Sequence, residues 1–169
     1  MGKTSYVIAL GSNRRHRRYG APDKILAAAC GALAEHGVEL LDVAPTFRTA
    51  AVGPAGRSFA NGAAHVASAL DPVAMLHLLK RIETDFGRRR GRRWGPRVLD
   101  LDIILWSQGS WTSRGLTIPH PGFRMRRFVL DPLISIAADW RDPLSGQTIR
   151  QLRTRLASRK PVDHRRGAA

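Results

Sequence analysis

The sequence predicts an α+β fold in which helices pack against one antiparallel sheet. Three observations support this prediction. Apolar runs of strand length are bounded by glycine, proline and short polar residues. Two longer segments carry helix start and stop signals, and the segments follow the order strand, helix, strand, strand, helix, strand. That order is typical of a sheet whose helices lie on one face.

The chain opens with a strand and a helix. The apolar run Ser5–Leu10 predicts a buried strand that ends at Gly11-Ser12-Asn13. After a basic loop, residues 23–36 are predicted to form a helix. Gly37 terminates this helix, because glycine readily adopts the left-handed conformation found at helix ends.

Two further strands occupy the middle of the chain. Residues 38–49 predict a strand that is interrupted by Pro45, and residues 58–70 predict another. The glycines and the proline in residues 50–57 predict a loop between them.

A second helix and a fourth strand complete the pattern. Asp71 and Pro72 predict the helix start, since an acidic N-cap followed by proline often begins helices. With residues 98–106 as the next strand, the order is that of the split βαβ, or ferredoxin-like, arrangement. The second helix carries an apolar stripe that ends before Gly87, formed by Val73, Leu76, Leu79, Ile82 and Phe86.

The remaining residues add C-terminal strand and helix elements to this core. Residues 116–118 predict a short strand, followed by a loop that extends to Phe128. Asp131-Pro132 predicts the cap of a short helix, and residues 149–156 predict a last helix. We expect one domain over residues 1–157. The basic tail over residues 158–169 is too poor in apolar residues to order itself.

Composition limits the architecture and the location of the protein. With 169 residues, 43% of them hydrophobic, the chain is long enough for one domain with a core. Its single cysteine, Cys30, excludes a disulfide or a thiolate zinc site within one chain. The apolar run over residues 6–10 is too short for a signal peptide or a membrane span, so we expect a cytoplasmic protein.

The formal net charge of +15 predicts an anionic partner. Charge alone does not distinguish between nucleic acid, a membrane surface and a small polyphosphate. The basic residues are concentrated in residues 14–18, 88–97 and 159–166.

Two carboxylates stand one residue apart in the predicted strand over residues 98–106. Strand side chains alternate between two faces, so Asp100 and Asp102 project from one face while apolar residues pack behind them. Carboxylate oxygens suit Mg²⁺, which completes its shell with water and substrate phosphates. The alternative is a half-buried strand whose acids face water or pair with neighbouring arginines.

A run of arginines precedes these two acids. Glycines and a proline interrupt it and favour a loop over a helix. Guanidinium groups bind phosphate oxygens in pairs, so such a loop can close over a polyanion. The arginines are Arg88, Arg89, Arg90, Arg92, Arg93 and Arg97.

His120 differs from the other histidines in its setting. The six histidines show no metal-ligand spacing. His120, however, lies between Pro119 and Pro121, which stiffen its loop and can position it to donate a hydrogen bond to a phosphate. The alternative is a simple turn residue.

Together these residues resemble the 6-hydroxymethyl-7,8-dihydropterin pyrophosphokinase family of folate biosynthesis. The family signature G-P-R-x-x-D-hydrophobic-D-hydrophobic-hydrophobic matches residues 95–104 without a mismatch, and the resemblance extends to about residue 157. Supporting motifs stand in the family's order: Ala9-Leu10-Gly11-Ser12-Asn13, Phe47-Arg48-Thr49, Phe59-Ala60-Asn61, Glu83, Gly87-Arg88, Pro119-His120, Arg126 and Phe128.

The resemblance implies a reaction and its catalytic residues. The β,γ-pyrophosphoryl group of ATP passes to the hydroxymethyl oxygen of the pterin, and AMP is released. Catalysis of such transfers is mostly alignment and charge stabilisation. By family analogy, Asp100 and Asp102 hold two Mg²⁺ ions, and Asp102 or a nearby water assists deprotonation of the hydroxyl. Arg88 and Arg97 neutralise charge on the transferred group and on the leaving AMP.

The resemblance also implies the ATP-binding residues. Basic and polar side chains grip the phosphates, and Trp94 belongs to a loop that seals the site against water. The implied ATP-binding set is Lys80, Glu83, Arg88, Trp94, Arg97, Ile103, His120 and Arg126.

The pterin is flat and rich in donors and acceptors, so its site needs stacking partners and an amide that reads its edge. Phe59 and Phe128 match the family positions that sandwich the pterin, and Asn61 matches the side chain that reads its edge. Without the resemblance, each phenylalanine would be assigned to an ordinary core. The implied pterin-binding set is Gly11, Thr49, Ala50, Val52, Phe59, Asn61, Trp94, Asp100 and Phe128.

The chain departs from the family at three single positions and in the basic loop over residues 14–18, which replaces a usually mixed polar segment. Lys80 replaces a frequent glutamine, Ala50 replaces a frequent proline, and Pro121 stands where an aromatic residue is frequent. A divergent member with weakened activity or a different acceptor is therefore an alternative.

The second alternative is a basic, ferredoxin-like module that binds nucleic acid. Such a module needs an aromatic-rich strand motif, which the chain lacks, and Asp100 and Asp102 would repel phosphates without a metal. We therefore expect ATP and the pterin as partners, a monomeric protein, and no membrane or nucleic-acid partner.

Overall fold

Five strands form one antiparallel sheet in the computed structural model, which describes residues 2–49, 59–87 and 98–159. The strands are β1 (Thr4–Ser12), β2 (Glu39–Val43), β3 (Phe47–Thr49), β4 (Phe59–Ser68) and β5 (Asp100–Trp106). Their order across the sheet is β2, β4, β1, β5; β3 also pairs with β4, along a different part of that strand from the part that pairs with β2. Every pairing is antiparallel, which confirms the predicted α+β fold with a ferredoxin-like core.

Two helices cover one face of this sheet, α1 (Pro22–Glu35) and α2 (Pro72–Asp85). Tyr6, Ile8 and Leu10 belong to the core beneath these helices, because alternate side chains of β1 share a face. This core is the larger of the two apolar clusters.

The ends of these helices follow the predicted signals. An Asp71 carboxylate oxygen accepts a hydrogen bond from the Ala74 amide at 2.8 Å and so satisfies a free donor of the first turn of α2. Gly37 follows α1 with a φ of 79°, a left-handed conformation in which any other residue would be strained.

Two more helices cover the opposite face, α3 (Arg127–Ala137) and α4 (Ile149–Ser158). Val7, Ala63 and Leu105 are the sheet residues of this second core. The sheet is therefore the middle of three layers. In the described ranges, no helix combines the length and the apolar character needed to cross a membrane.

The predicted start of α3 is wrong. Asp131 and Pro132 do not cap this helix but lie inside it, and Phe128 belongs to its first turn rather than to a loop. The Asp131 carboxylate pairs with the guanidinium groups of Arg127 and Arg153 instead of capping backbone amides. Pro132 removes one backbone donor, and burial of its helix face against the sheet offsets that loss.

Two strands differ from what the sequence predicts. β6 (Trp111–Ser113) was not predicted; it pairs with β7 (Leu116–Ile118) and is too short to show an alternating pattern. β1 continues beyond Leu10 through Ser12, because its pairing with β4 extends that far. The proposed domain over residues 1–157 and tail over residues 158–169 remain predictions, since residues 160–169 lie outside the described part of the chain.

Candidate active site

A row of four residues crosses the sheet at one end. Gly11 on β1 lies opposite Asn61 on β4 and opposite Asp100 on β5, and Phe47 on β3 lies opposite Asn61. Directly opposed residues of antiparallel strands share a face. The sheet register therefore places Phe47, Asn61, Gly11 and Asp100 side by side on one face.

Asp102 occupies the next row of the same face. It lies opposite Ala9, two residues before Gly11 along β1. The intervening Leu101 is fully buried in the core beneath α1 and α2. The predicted alternation is confirmed: the two acids face one side of β5 and the apolar residues between and around them face the other.

Four neighbouring side chains act electrostatically on Asp102. Burial raises the pKa of Asp102 above its ordinary value, and the negative charge of Asp100 raises it further. His120, Lys80 and Arg126 oppose this shift electrostatically. The structure thus brings together both acids and three of the residues in the predicted ATP-binding set.

Backbone contacts hold His120 beside the acids. The His120 amide donates to the Ile104 carbonyl at 3.0 Å, two residues beyond Asp102 on the same strand. His120 Nδ1 accepts a hydrogen bond from the Gly122 amide at 3.1 Å. In the neutral ring, Nδ1 as acceptor leaves the proton on Nε2, so His120 is prepared to donate from Nε2.

Arg126 is held against the backbone of the same loop. A Cβ atom on Gly122 would lie 3.1 Å from Arg126 Nε and 3.2 Å from its Cζ, which is closer than such atoms normally approach. The absence of a side chain at Gly122 therefore lets the Arg126 guanidinium pack on the chain next to His120. Arg126 also occupies the N-cap of α3.

Lys80 and Glu83 form an ion pair on the α2 side of β5. Lys80 Nζ lies 3.1 Å from Glu83 Oε1, and the Glu83 carboxylate is fully buried. The Leu101 amide donates to the same Glu83 oxygen at 2.8 Å. Glu83 thus accepts a hydrogen bond from the Leu101 amide, which lies on the outer edge of β5 between Asp100 and Asp102. Through the ion pair it also orients Lys80.

The other half of the row is suited to a flat polar ligand. Asn61 Nδ2 donates to Thr49 Oγ1 at 3.2 Å, which orients the amide. Its Oδ1 would lie 3.8 Å from a Cβ on Gly11, so the carbonyl oxygen stands beside the bare backbone of β1. Phe59 and Phe128 are 45% and 46% exposed, which excludes the alternative that they are core residues.

Not every predicted site residue contributes its side chain to this face. Ile103 is buried among the core residues beneath α1 and α2, so only its main chain is available to a nucleotide. Five predicted residues lie outside the described ranges: Ala50, Val52, Arg88, Trp94 and Arg97.

Phe47 is the residue that the sequence reasoning missed. Its ring is 38% exposed, and it shares the site face with Asn61 and Thr49. The signal was available in principle, because Phe47 stands two residues before Thr49 on a strand and must therefore face the same side.

The acidic pair fits Mg²⁺ better than a metal with an all-protein cage. Among the described residues, no group of three or more histidine, cysteine or acidic side chains is placed to hold an ion. Two neighbouring carboxylates on one face of β5 would provide part of an oxygen shell, which Mg²⁺ typically completes with water and phosphates.

This fold and site define a class: an α+β enzyme of phosphoryl-group transfer, with paired carboxylates beside basic side chains at one end of an antiparallel sheet. The family model for 7,8-dihydro-6-hydroxymethylpterin-pyrophosphokinase (HPPK) matches residues 7–138. The chain belongs to this family, which confirms the resemblance and assigns it to the pyrophosphokinases of folate biosynthesis.

Relatives and solved structures agree with this assignment. The 2-amino-4-hydroxy-6-hydroxymethyldihydropteridine pyrophosphokinase of Synechocystis is 44% identical over 126 residues, which cover 72% of this chain and 65% of that protein. The Haemophilus influenzae enzyme of the same name is 37% identical over 161 residues, 94% of this chain and 96% of that protein. The Plasmodium falciparum HPPK-DHPS structure shares the fold at a TM-score of 0.69 and 14% identity, covering 90% of this chain and 44% of that chain.

Proposed function

We propose that this site transfers the β,γ-pyrophosphoryl group of ATP to the hydroxymethyl oxygen of 6-hydroxymethyl-7,8-dihydropterin and releases AMP. The row formed by Asn61, Gly11 and Asp100 is the observation that carries the proposal. It joins an amide suited to a pterin edge and an acid suited to a phosphate-bound metal on three adjacent strands. A pterin over Gly11 would therefore present its hydroxymethyl group toward the phosphate side.

The bond changes define what the site must stabilise. The hydroxymethyl oxygen forms a bond to the β-phosphorus, and the bond from that phosphorus to the oxygen bridging to the α-phosphorus breaks. AMP leaves with the electron pair. We assign the hydroxyl proton to Asp102 or to a nearby water, because Asp102 lies on the site face one row from Gly11 and Asp100.

Asp100 and Asp102 would hold Mg²⁺ with the ATP phosphates. The ion supplies charge neutralisation for the triphosphate when bound. The two carboxylates also exclude a metal-free triphosphate from this position by repulsion, so Mg²⁺ and ATP are expected to enter together.

His120, Arg126 and Lys80 form the phosphate-binding side of the site. His120 donates from Nε2, and Arg126 offers a planar fork that matches two phosphate oxygens. Lys80 contributes a point charge from α2, opposite the loop that carries the other two. This hydrogen-bond donor and the two cations are placed to stabilise charge as it develops on the leaving AMP and the transferred group.

Phe59 and Phe128 supply exposed rings that stack on the pterin. The Asn61 amide, oriented by Thr49, forms hydrogen bonds with the polar edge of the pterin. Family resemblance assigns further roles to residues outside the described ranges. Arg88 and Arg97 would bind the phosphates, and Trp94 would belong to the loop that closes the site. Ala50 and Val52 would contact the pterin. The cytoplasmic location and the monomeric state remain predictions.

The test is the identity of the nucleotide product. The protein is incubated with ATP, Mg²⁺ and the hydroxymethyl dihydropterin, and the nucleotides are separated by anion-exchange chromatography. AMP that forms only when the pterin is present supports the proposal. ADP as the product, or no turnover that depends on the pterin, contradicts it and favours a divergent member with another acceptor.

A further inference from the structure

The basic segment over residues 14–18 forms a closed loop of defined shape. The amide of His16 donates to the Gly20 carbonyl at 2.9 Å, and the Gly20 amide donates back to the His16 carbonyl at 2.8 Å. His16 Nδ1 accepts hydrogen bonds from the amides of Arg18 and Tyr19 at 3.1 and 3.4 Å. The loop therefore holds its arginines by its own backbone contacts.

An aromatic contact fastens this loop to the end of α2. The Tyr19 ring stacks on Phe86, with ring centroids 4.6 Å apart and an interplanar angle of 19°. The His16 ring packs within the loop, 4.9 Å from the Tyr19 ring, and lies 6.4 Å from the Phe86 ring. Phe86 follows directly after α2, the helix that carries Lys80 and Glu83.

The other end of the loop begins at the acidic end of the sheet. β1 ends at Ser12, and its preceding residue, Gly11, lies opposite Asp100. The loop is thus held between the last residue of β1 and the last turn of α2, and both of these elements contribute to the candidate active site.

The charges of this loop have no acidic partners in the described ranges. Arg14, Arg15, Arg17 and Arg18 are all exposed, and none forms an ion pair with a described carboxylate. Arg18 alone has a ring contact, 5.5 Å above Tyr19. Four like charges in five residues create a local positive potential, which attracts anions.

We propose that these four side chains, the loop arginines, form an electrostatic capture surface for the nucleoside triphosphate. They attract the phosphates toward the acidic pair and raise the rate of ATP association, without contacting the reacting atoms. This inference rests on the proposed function for the identity of the anion. It assigns a role to a basic motif that the catalytic scheme does not use.

The test compares two triple variants with equal loss of charge. The loop triple is Arg14→Gln/Arg15→Gln/Arg17→Gln, which spares Arg18 because of its contact with Tyr19. The control triple is Lys3→Gln/Arg114→Gln/Arg150→Gln, exposed cations outside the loop; Lys3 and Arg150 each have only a solvent-exposed acidic partner. Association of a fluorescent ATP analogue with Mg²⁺ is followed by stopped flow at low and high ionic strength, and kcat and KM are measured in parallel.

At an ionic strength of about 10 mM, the loop triple is expected to associate about tenfold more slowly than the unmodified protein, and kcat/KM for ATP falls in parallel. At about 0.5 M the difference falls below about twofold, because salt screens the charges. The control triple changes association less than twofold, and kcat at saturating ATP is within about twofold in both.

Several results would overturn the inference. Equal losses in both triples would assign the effect to net charge, and an unchanged association rate in the loop triple would remove the role altogether. A fall in kcat at unchanged KM would place the arginines in the chemical step. Binding of single-stranded RNA at physiological salt that the loop triple abolishes would assign the loop to RNA.

Failure of the proposed function is distinguishable from failure of this inference. If the unmodified protein forms no AMP but the loop triple still slows nucleotide association, the reaction is wrong and the capture surface stands. If AMP forms with the pterin but association is insensitive to the loop triple, the reaction stands and the capture surface is wrong.

Discussion

Asn61 and Asp100 lie on opposite sides of Gly11, each directly opposed to it on a neighbouring strand. One glycine therefore separates the amide assigned to the pterin from the acid assigned to the metal and phosphates. Because the three strands are paired in register, the sheet sets the separation of the Asn61 and Asp100 side chains.

Replacing Gly11 with alanine should weaken pterin binding without unfolding the protein. The new methyl group would lie 3.8 Å from Asn61 Oδ1, an ordinary contact, but would rise from the surface on which the pterin lies. We expect a roughly tenfold higher KM for the pterin, about 1.4 kcal/mol. Gly31→Ala is the matched control, since nothing lies within 4 Å of the added atom and alanine favours the helix. Equal pterin KM values in the two variants would contradict the assignment.

Gly122→Ala should displace Arg126 and impair ATP binding. The added methyl group would lie 3.1–3.3 Å from the guanidinium, and the flexible arginine side chain is the part that moves. The backbone of Gly122, at φ −94° and ψ −1°, is accessible to alanine, so stability should change little. We expect KM for ATP to rise in Gly122→Ala and in Arg126→Ala, with no further rise in the double variant. Additive effects would show that the two residues act separately.

Glu83→Ala should destabilise the fold, whatever its effect on catalysis. The substitution removes the acceptor of the Leu101 amide and the partner of Lys80 from a fully buried position. An unsatisfied buried donor costs about 1–3 kcal/mol, which urea unfolding measures. Glu35→Ala, at an exposed position of α1, provides the control and should change stability by less than about 0.5 kcal/mol. A stability loss no larger than that of the control would refute this structural role.

Asp142 should contribute to acid sensitivity. Burial opposes its ionisation, but hydrogen bonds from Arg124, Ser145 and the Leu144 amide outweigh burial and lower its pKa from 3.8 to about 2. Because the folded-state pKa is depressed, the stabilisation is complete above about pH 5 and is lost as the pH falls through the folded pKa, by about 2 kcal/mol. Asp142→Asn should be less stable at neutral pH and lose less stability between pH 4 and 2. Parallel pH profiles for the two proteins would contradict this.

The sequence predicts much of the fold because the signals are local. Apolar runs, the Asp71 cap and Gly37 mark strands and helices within a few residues of where they occur. The start of α3 could not be predicted in this way, because its first turn is stabilised by burial of later residues and by the ion pairs of Asp131. β6 was missed because its three residues depend on pairing with β7.

In the candidate site too, some features follow from local sequence patterns and others depend on how distant segments pair. The alternation of acidic and apolar residues along β5 is by itself enough to place Asp100 and Asp102 on one face. Their alignment with Asn61 depends on the register of two strand pairs, which no local pattern specifies. The role of Glu83 in satisfying the Leu101 amide likewise depends on how α2 packs beside β5.

The acidic pair and the identity of the products test the proposed reaction most directly. Purified wild-type protein, Asp100→Asn, Asp102→Asn and the exposed control Asp139→Asn are each supplied with ATP, Mg²⁺ and the hydroxymethyl dihydropterin. Wild type and the control should form AMP and a pterin carrying two phosphates in equal amounts. Each site variant should lose at least about 10²-fold in rate at an unchanged melting temperature, because it removes a charge rather than core volume. A pterin carrying one phosphate together with ADP, or undiminished AMP formation in either site variant, would contradict the assignment.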